Sequence, residues 1–204
     1  MTEAASTRCI EMLNGVPIYF EIHGSGEPVL LLHGFSGCTQ DWSKVTTEWV
    51  SAFHMIVPDL RGHGRSSTLT RPFRHHDAAD DMLALLDHLK IESCTAIGIS
   101  GGGNVLLHMA TQKPACLSAM VLVSATPYFP LQARTIMRQY PDTVTSDQRE
   151  WLYTRHPGGD PKIDALLEST RAFADSYDDL TAAPCDHPSP HPHCSRRPRP
   201  APPG

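Results

Sequence analysis

Residues 98–102 read Gly-Ile-Ser-Gly-Gly and join two segments of different pattern. The apolar run at 94–97 predicts a buried strand, and residues 104–110 predict a helix just after the serine. A sharp turn from strand to helix forces a cramped backbone on its central residue, so the neighbouring residues must be small. Such a turn exposes the Ser100 hydroxyl, and the N-terminus of the next helix points its free N–H groups at the same place. The motif predicts a serine nucleophile, and a plain glycine-rich turn with an idle serine is the alternative.

Short apolar runs alternate with helical patterns over the first 123 residues. A tight turn at Asn14-Gly15 joins the first two strands. Continuous apolar runs are typical of strands that are buried on both faces, so the alternation predicts an α/β fold with a mostly parallel sheet and flanking helices. The predicted strands are residues 10–13, 16–22, 29–32, 55–57, 94–97 and 119–123, and the predicted helices are 41–52, 77–89 and 104–110.

Residues 131–180 contain helical patterns with no apolar strand between them. Helices are expected at 131–140, 146–156 and 162–180, separated by Pro141 and by the turn-rich segment 157–161. We expect these helices to form a cap inserted over the sheet. Four aromatic side chains of this region are expected to face the core or a substrate cleft, with the core favoured: Trp151, Tyr153, Phe173 and Tyr177.

The composition excludes several classes of protein. Residues 182–204 hold eight of the 18 prolines and no Leu, Ile, Val, Met or aromatic residue, which predicts a disordered tail. That tail has three arginines and one aspartate, so the acidic excess of a chain with net charge −5 lies before it, which argues against a broad nucleic-acid surface. No apolar run approaches the ~20 residues that span a bilayer, and residues 1–10 lack a signal-peptide core, so we expect no membrane partner and a cytoplasmic location.

Cofactor and metal motifs are missing from the sequence. It contains neither the dinucleotide fingerprint nor the P-loop pattern, and its six cysteines show no CxxC spacing, so they are read as reduced thiols. The segment His75-His76-Asp77 predicts a solvated polar cluster. We expect no cofactor and no metal. A group of tail residues without zinc spacing is read as part of the disordered tail: Cys185, His187, His191, His193 and Cys194.

Three stretches, in the right order, resemble the α/β-hydrolase fold superfamily. His33-Gly34-Phe35 after a buried strand resembles its oxyanion loop, residues 58–66 resemble its structural loop after the next parallel strand, and residues 98–102 resemble its nucleophile elbow. The resemblance covers residues 10–180. It divides the chain into a hydrolase core at residues 1–126, a helical cap region at 127–181 and a disordered Pro-rich tail at 182–204.

The resemblance implies roles for individual residues. Ser100 would be the catalytic nucleophile, and the backbone N–H groups of Phe35 and Gly101 would form the oxyanion hole. The expected substrate is a small ester or related acyl compound, hydrolysed through an acyl-serine intermediate, while perhydrolysis and C–C bond hydrolysis use the same scaffold. Met137 and Trp151 are candidates for lining an apolar cleft. The oligomeric state is left undetermined.

Three polar residues of the structural loop are implied to have no part in the chemistry. Asp59, Arg61 and His63 would shape the loop that contains them.

The sequence departs from the family in one respect. The family's acid and histidine follow the serine, each after a further strand, and residues 181–204 contain no apolar strand. Segment 124–127, where some members carry the acid, has no carboxylate, and Asp142 and Asp147 are unpersuasive substitutes. We therefore expect a truncated chain in which the last strands and helix, the acid and the base are missing, and a tail histidine as the base is a weaker possibility. The alternative to a serine hydrolase is an inactive fragment or ligand-binding remnant.

Overall fold

A six-stranded sheet is the centre of the structure, a computed structural model that describes residues 6–175 and Leu180. Within the sheet the order of strands is β1-β2-β4-β3-β5-β6. The predicted tail, Tyr177 and the Cys/His group of the tail lie outside the described residues. The strands are β1 (Ser6–Leu13), β2 (Val16–His23), β3 (Glu27–Leu32), β4 (Phe53–Pro58), β5 (Cys94–Ile99) and β6 (Leu117–Val123).

The strand pairing confirms the predicted mostly parallel α/β sheet. An antiparallel hairpin of β1 and β2 turns at Asn14-Gly15, where both residues have positive φ, and β2 pairs antiparallel with β4. Parallel pairing joins β4 to β3, β3 to β5 and β5 to β6. The register sets Leu32 at the end of β3 beside Gly98 near the end of β5. The loops that follow these two strands therefore leave the sheet side by side.

Helices cover both faces of the sheet. On one face α2 and α3 pack against the strands through a large apolar cluster that includes Leu30, Leu32, Met82 and Val105. The other face packs under α1 through a smaller cluster around Trp42. The helices are α1 (Ser43–Trp49), which a 3-10 turn at Thr39–Trp42 precedes, α2 (His75–His88), α3 (Gly101–Gln112), α4 (Leu131–Thr143), α5 (Ser146–Arg155) and α6 (Asp160–Asp175).

Strand β6 differs from its prediction as a buried strand. It lies at one edge of the sheet, with β5 as its neighbour, and Val121, Leu122 and Val123 are 48%, 39% and 44% exposed. A run of apolar residues predicts a strand but does not distinguish an interior strand from one at an edge. The strand assignment was therefore right, and the burial was wrong.

The helices after β6 also differ in detail from their prediction. Helix α4 continues through Pro141 to Thr143, so this proline does not separate two helices. Phe173 is buried as expected, but Trp151 and Tyr153 are exposed, and the prediction that they face the core was wrong. The Trp151 ring instead carries the Arg155 guanidinium 4.5 Å above its centroid, so a cation–π contact replaces core burial.

Candidate active site

Ser100 occupies the junction between β5 and α3, which we call the serine turn (residues 98–102). Its φ and ψ of 50° and −116° are strained for a residue with a side chain. The surroundings hold it there, because its N–H donates to the Val123 carbonyl at 2.7 Å and its carbonyl accepts the Asn104 N–H at 3.0 Å. The residue is exposed, and its hydroxyl makes no hydrogen bond within the described part of the chain. The turn thus presents an unengaged hydroxyl to solvent.

The serine turn depends on two close approaches of main chain to main chain. A Cβ on Gly98 would lie 2.6 Å from the Gly103 nitrogen, and one on Gly102 would overlap the Leu32 carbonyl oxygen and lie 2.5 Å from that of His33. Real Cβ atoms do not tolerate such contacts with backbone. The glycines therefore let α3 start directly against the end of β3.

Residues 33–37, the loop after β3, form a tight turn beside Ser100. The Gly37 N–H closes the turn on the Gly34 carbonyl at 2.9 Å, and Ser36 has a φ of 64°. A Cβ on Gly34 would lie 3.5 Å from the Ser100 Cβ, and one on Gly101 would lie 3.2 Å from the Phe35 nitrogen. Ser100, Gly101 and Phe35 are therefore brought together, although they are far apart in sequence.

The main-chain N–H groups of Phe35 and Gly101 are both unused. Neither donates a hydrogen bond to another described residue. Gly101 is the first residue of α3, so its N–H has no acceptor within the helix. Two adjacent donors without acceptors beside an exposed hydroxyl can bind an oxygen atom that gains negative charge.

His33 fixes the loop 33–37 from within. Its Nε2 accepts the Leu60 N–H at 3.0 Å, which makes Nδ1–H the donor to the Gly34 carbonyl at 2.7 Å. The ring is fully buried, and burial lowers its pKa to about 4. His33 is therefore neutral near pH 7, and both of its nitrogens hold main chain in place.

Asp59 holds the next loop, residues 59–66, together. Its carboxylate accepts the Thr39 N–H at 2.6 Å and the Arg65 N–H at 2.7 Å. Burial raises its pKa and outweighs the lowering effect of these bonds. One Asp59 oxygen therefore anchors the 3-10 turn before α1, and the other holds the loop 59–66.

Arg61 and His63 form hydrogen bonds to α2 and within the loop 59–66, respectively. Arg61 forms a bidentate ion pair with buried Asp81 on α2, with Nε and Nη2 each 2.7 Å from a carboxylate oxygen. His63 bonds the Arg61 carbonyl through Nδ1 at 2.9 Å, while its buried Nε2 has no partner among the described residues.

His75 departs from the prediction of a solvated cluster before a helix. It is the first residue of α2 and is buried, with its ring edge-on to Phe73 and at 4.8 Å from Phe173. Its Nε2 lies 3.6 Å from the position of a Cβ on Gly101, so this ring forms part of the wall of the serine turn. The sequence offered no periodic pattern that would assign His75 to that wall.

Three neighbouring groups on α2 could offer ligand atoms to a metal ion. Those of His76, Asp77 and Asp80 all lie within 4.8 Å of one another. Asp77, however, is already paired with Arg61 at 3.5 Å and Arg71 at 3.1 Å. These cations repel a metal ion, so the cluster is explained by its ion pairs.

The helices after β6 dock on the two loops through buried polar groups that the sequence analysis did not single out. His156, directly after α5, accepts the Gly64 N–H at Nδ1 (2.7 Å) and donates from Nε2 to the Ser36 carbonyl (3.1 Å). Lys162 on α6 donates to the Gly64 carbonyl at 2.6 Å and also to that of Ser66. Arg155 adds an ion pair with Asp41. These contacts join residues that are about 100 positions apart in the sequence. No local sequence pattern predicts them.

Burial lowers the pKa of three basic side chains in and beside this docking region, His156, Lys162 and His63. It lowers the pKa of His156 to about 4 and that of Lys162 to about 8. It also holds the pKa of His63 well below its usual range, with nearby His33 adding to the effect. The three histidines are thus neutral in the folded protein at pH 7.

We expect stability to fall as the pH drops from about 6.5 toward 4. A histidine of the unfolded chain has a pKa near 6.5, so in this pH window the unfolded chain binds protons at His33 and His156 and the folded protein does not. Each of the two rings therefore lowers the free energy of unfolding by about 1.4 kcal/mol for every pH unit. Replacing His156 with glutamine should reduce the pH dependence of the free energy of unfolding by up to the contribution of one ring. Urea denaturation at pH 7, 6 and 5 measures it.

The difference between the wild-type protein and His156→Gln reports the contribution of His156 alone to the pH dependence of unfolding. Burial raises the pKa of Asp59 and Asp81, which has the opposite effect on stability at low pH, but both residues remain in the variant. An identical pH dependence of unfolding in the two proteins would show that His156 is not held neutral by the fold.

A family model for the α/β hydrolase fold matches residues 27–160, which is more than half of the chain. This chain belongs to the α/β-hydrolase fold family. The match extends from β3 to the start of α6, so it includes the loop 33–37, the loop 59–66 and the serine turn. None of the helices in the described part of the protein has the length and apolar character needed to cross a membrane.

Two relatives of this α/β hydrolase are named for different activities. The chain is 30% identical over 116 residues to a soluble epoxide hydrolase of Corynebacterium, covering 57% of this chain and 41% of that protein. It is 29% identical over 143 residues to a non-heme haloperoxidase of Rhodococcus erythropolis, covering 69% and 52%. The chain thus spans about half or less of the length of these two relatives.

A solved structure extends the likeness of fold further along the chain. A thermophilic esterase from Thermogutta terrifontis aligns with a TM-score of 0.69 at 22% identity. The alignment covers 83% of this chain and 72% of the esterase. At this identity the likeness concerns the fold alone.

Proposed function

We propose that this α/β hydrolase is a serine hydrolase that acts on an ester or related acyl compound through an acyl-serine intermediate. The observation that carries the proposal is the exposed, unbonded Ser100 hydroxyl beside the two unused N–H groups of Phe35 and Gly101. Acyl transfer needs these two elements, a nucleophile and donors for the oxyanion, within a few ångströms of each other.

The reaction begins with attack of Ser100 Oγ on the carbonyl carbon of the substrate. A base takes the hydroxyl proton, and the carbonyl oxygen becomes an oxyanion that the N–H groups of Phe35 and Gly101 stabilise, each by roughly 3 kcal/mol. Collapse of the tetrahedral intermediate, with the proton passing from the base to the leaving oxygen, expels the alcohol and leaves acyl-Ser100, which water then hydrolyses. No described side chain is hydrogen bonded to Ser100 Oγ, so the base and the acid stay unassigned.

The serine favours acyl chemistry over the epoxide opening named in one relative. Attack of a serine on an epoxide carbon would form an ether, which water does not readily cleave. Attack on a carbonyl carbon forms an ester, which a second attack by water resolves. The haloperoxidase name of another relative is compatible with the proposal, because an acyl-serine can also be resolved by peroxide.

A ligand-binding protein without turnover is the second candidate. It is favoured by the lack of a described side chain that bonds the Ser100 hydroxyl, since an unassisted serine is a weak nucleophile. Such a protein would keep the fold and a small-molecule cleft but would not form a covalent intermediate.

Labelling with a fluorophosphonate probe separates the two candidates. We expect the folded protein to be labelled, Ser100→Ala to lose labelling entirely, and Ser118→Ala, which removes another exposed serine, to keep it. Intact-mass spectrometry counts the adducts, and circular dichroism verifies that each variant is folded. Folded wild-type protein that stays unlabelled would support the binding-only candidate, and labelled Ser100→Ala would refute Ser100 as the nucleophile.

A further inference from the structure

His156 is the one described side chain that bonds both the loop 33–37 and the loop 59–66 from the helices that follow β6. The ring is fully buried, and its two nitrogens have separate partners. Nδ1 accepts from the Gly64 N–H and Nε2 donates to the Ser36 carbonyl. The contact to Ser36 joins residues 120 positions apart, so it is a tertiary tether and not a local cap.

The tether holds the turn that presents the Phe35 N–H. The Gly34 carbonyl and the Phe35 N–H belong to one peptide group, and that carbonyl is held by the His33 ring and the Gly37 N–H. On the far side of Phe35, Ser36 stands in the left-handed region with a φ of 64°, which disfavours a residue with a side chain. The bond from His156 fixes the Ser36 carbonyl in that conformation.

We propose that His156 is a positioning residue that couples docking of the helices α5 and α6 to the oxyanion-binding geometry of the loop 33–37. The inference deepens the proposed function, because it relies on Phe35 as an oxyanion donor. The Ser36 carbonyl and the Gly37 N–H belong to one peptide group, so loss of the Nε2 donor lets Ser36 relax out of its strained conformation and weakens the bond from Gly37 to the Gly34 carbonyl. The Phe35 N–H can then rotate away from the serine turn.

Lys162 provides the control for docking alone. It is buried and anchors α6 on the carbonyl groups of Gly64 and Ser66, and it has no hydrogen bond to the loop 33–37 within the described part of the chain. The variant Lys162→Met therefore weakens docking and leaves the Ser36 tether in place. If His156 only helps the helices to dock, its variants and Lys162→Met should behave alike.

Two replacements of His156 separate its two bonds. Asparagine places a polar atom at the position of Nδ1, so it can accept from Gly64 but cannot reach Ser36. Glutamine places a nitrogen donor at the position of Nε2, so it can donate to Ser36 but offers no acceptor at the Nδ1 position. Both variants carry the same neutral amide group, they differ in length by one methylene, and each is expected to hold a different loop.

The first readout is independent of activity. Amide ¹H–¹⁵N NMR of the full chain should show the Phe35 and Ser36 signals shifted in His156→Asn but near their wild-type positions in His156→Gln and Lys162→Met. The Gly64 signal should show the reverse pattern for the two His156 variants. Equal shifts of the Phe35 signal in both His156 variants, or no shift in either, would overturn the positioning role.

The second readout measures the proposed chemistry. The fluorophosphonate labelling rate should be about tenfold lower in His156→Asn than in His156→Gln, as expected when one oxyanion donor is misaligned. The dependence of this rate on probe concentration should show that the maximal rate of covalent bond formation falls while the affinity for the probe is unchanged. If wild type is not labelled although the NMR pattern holds, the proposed function fails and the tether stands. If labelling is equal in both variants, the coupling to catalysis is refuted.

Discussion

Replacing Asp81 with alanine should lower the free energy of unfolding by about 3–5 kcal/mol. Its carboxylate is fully buried on α2, and both oxygens accept hydrogen bonds from Arg61 at 2.7 Å. Arg61 is itself buried, so the variant leaves a buried guanidinium whose remaining ion pair among the described residues is the 3.5 Å contact to Asp77. Urea denaturation followed by circular dichroism measures the loss.

The neighbouring Asp80 supplies a matched control for this prediction. Its side chain is 44% exposed and, among the described residues, pairs only with the exposed ring of His76, so Asp80→Ala should cost less than about 1 kcal/mol. The double variant Arg61→Met with Asp81→Leu should recover much of the loss, since it removes both buried charges. A loss in Asp81→Ala no greater than in Asp80→Ala would contradict the importance of the buried pair.

Replacing Gly102 with alanine should cost about 3 kcal/mol of stability and should abolish labelling of Ser100. The added methyl would collide with the carbonyl oxygens of Leu32 and His33, and main-chain atoms cannot move aside as a side-chain end can. Relief requires that α3 shift away from β3, which separates Ser100 from the loop 33–37. Denaturation and probe labelling measure the two effects on one sample.

The variant Gly15→Ala is the control that measures the cost of replacing a glycine where the added methyl group meets no other atom. Gly15 has a φ of 77° in the β1–β2 turn, and a Cβ there would meet no atom within 4 Å. Gly15→Ala should therefore cost about 1 kcal/mol from backbone strain and leave labelling intact. Equal losses in the two variants would show that the serine turn has no special need for a small residue.

Local patterns were sufficient to predict the architecture and the serine turn. The alternating apolar runs gave the strands and the parallel sheet, and the glycines around Ser100 marked the turn from β5 to α3. The adjacency of Phe35 and Gly101 followed from the family resemblance, and the β3–β5 register explains it physically. Each of these features depends on residues within one short stretch or on neighbouring strands.

Long-range polar contacts could not be predicted from the sequence. His156 bonds partners 92 and 120 residues away, and Arg61 meets Asp81 only because α2 packs over the loop 59–66. No periodicity distinguishes such residues from solvated ones, so His75 was read as solvated although it is buried. The contact of the exposed Trp151 ring with Arg155 likewise has no signature in the local pattern.

A crystal structure of the phosphonate adduct would show both the nucleophile and the groups that bind the oxyanion. We expect phosphorus bonded to Ser100 Oγ and a phosphonyl oxygen about 2.7–3.1 Å from the main-chain nitrogens of both Phe35 and Gly101. An adduct whose phosphonyl oxygen faces away from these two nitrogens, or a phosphonate carried by a different residue, would contradict it.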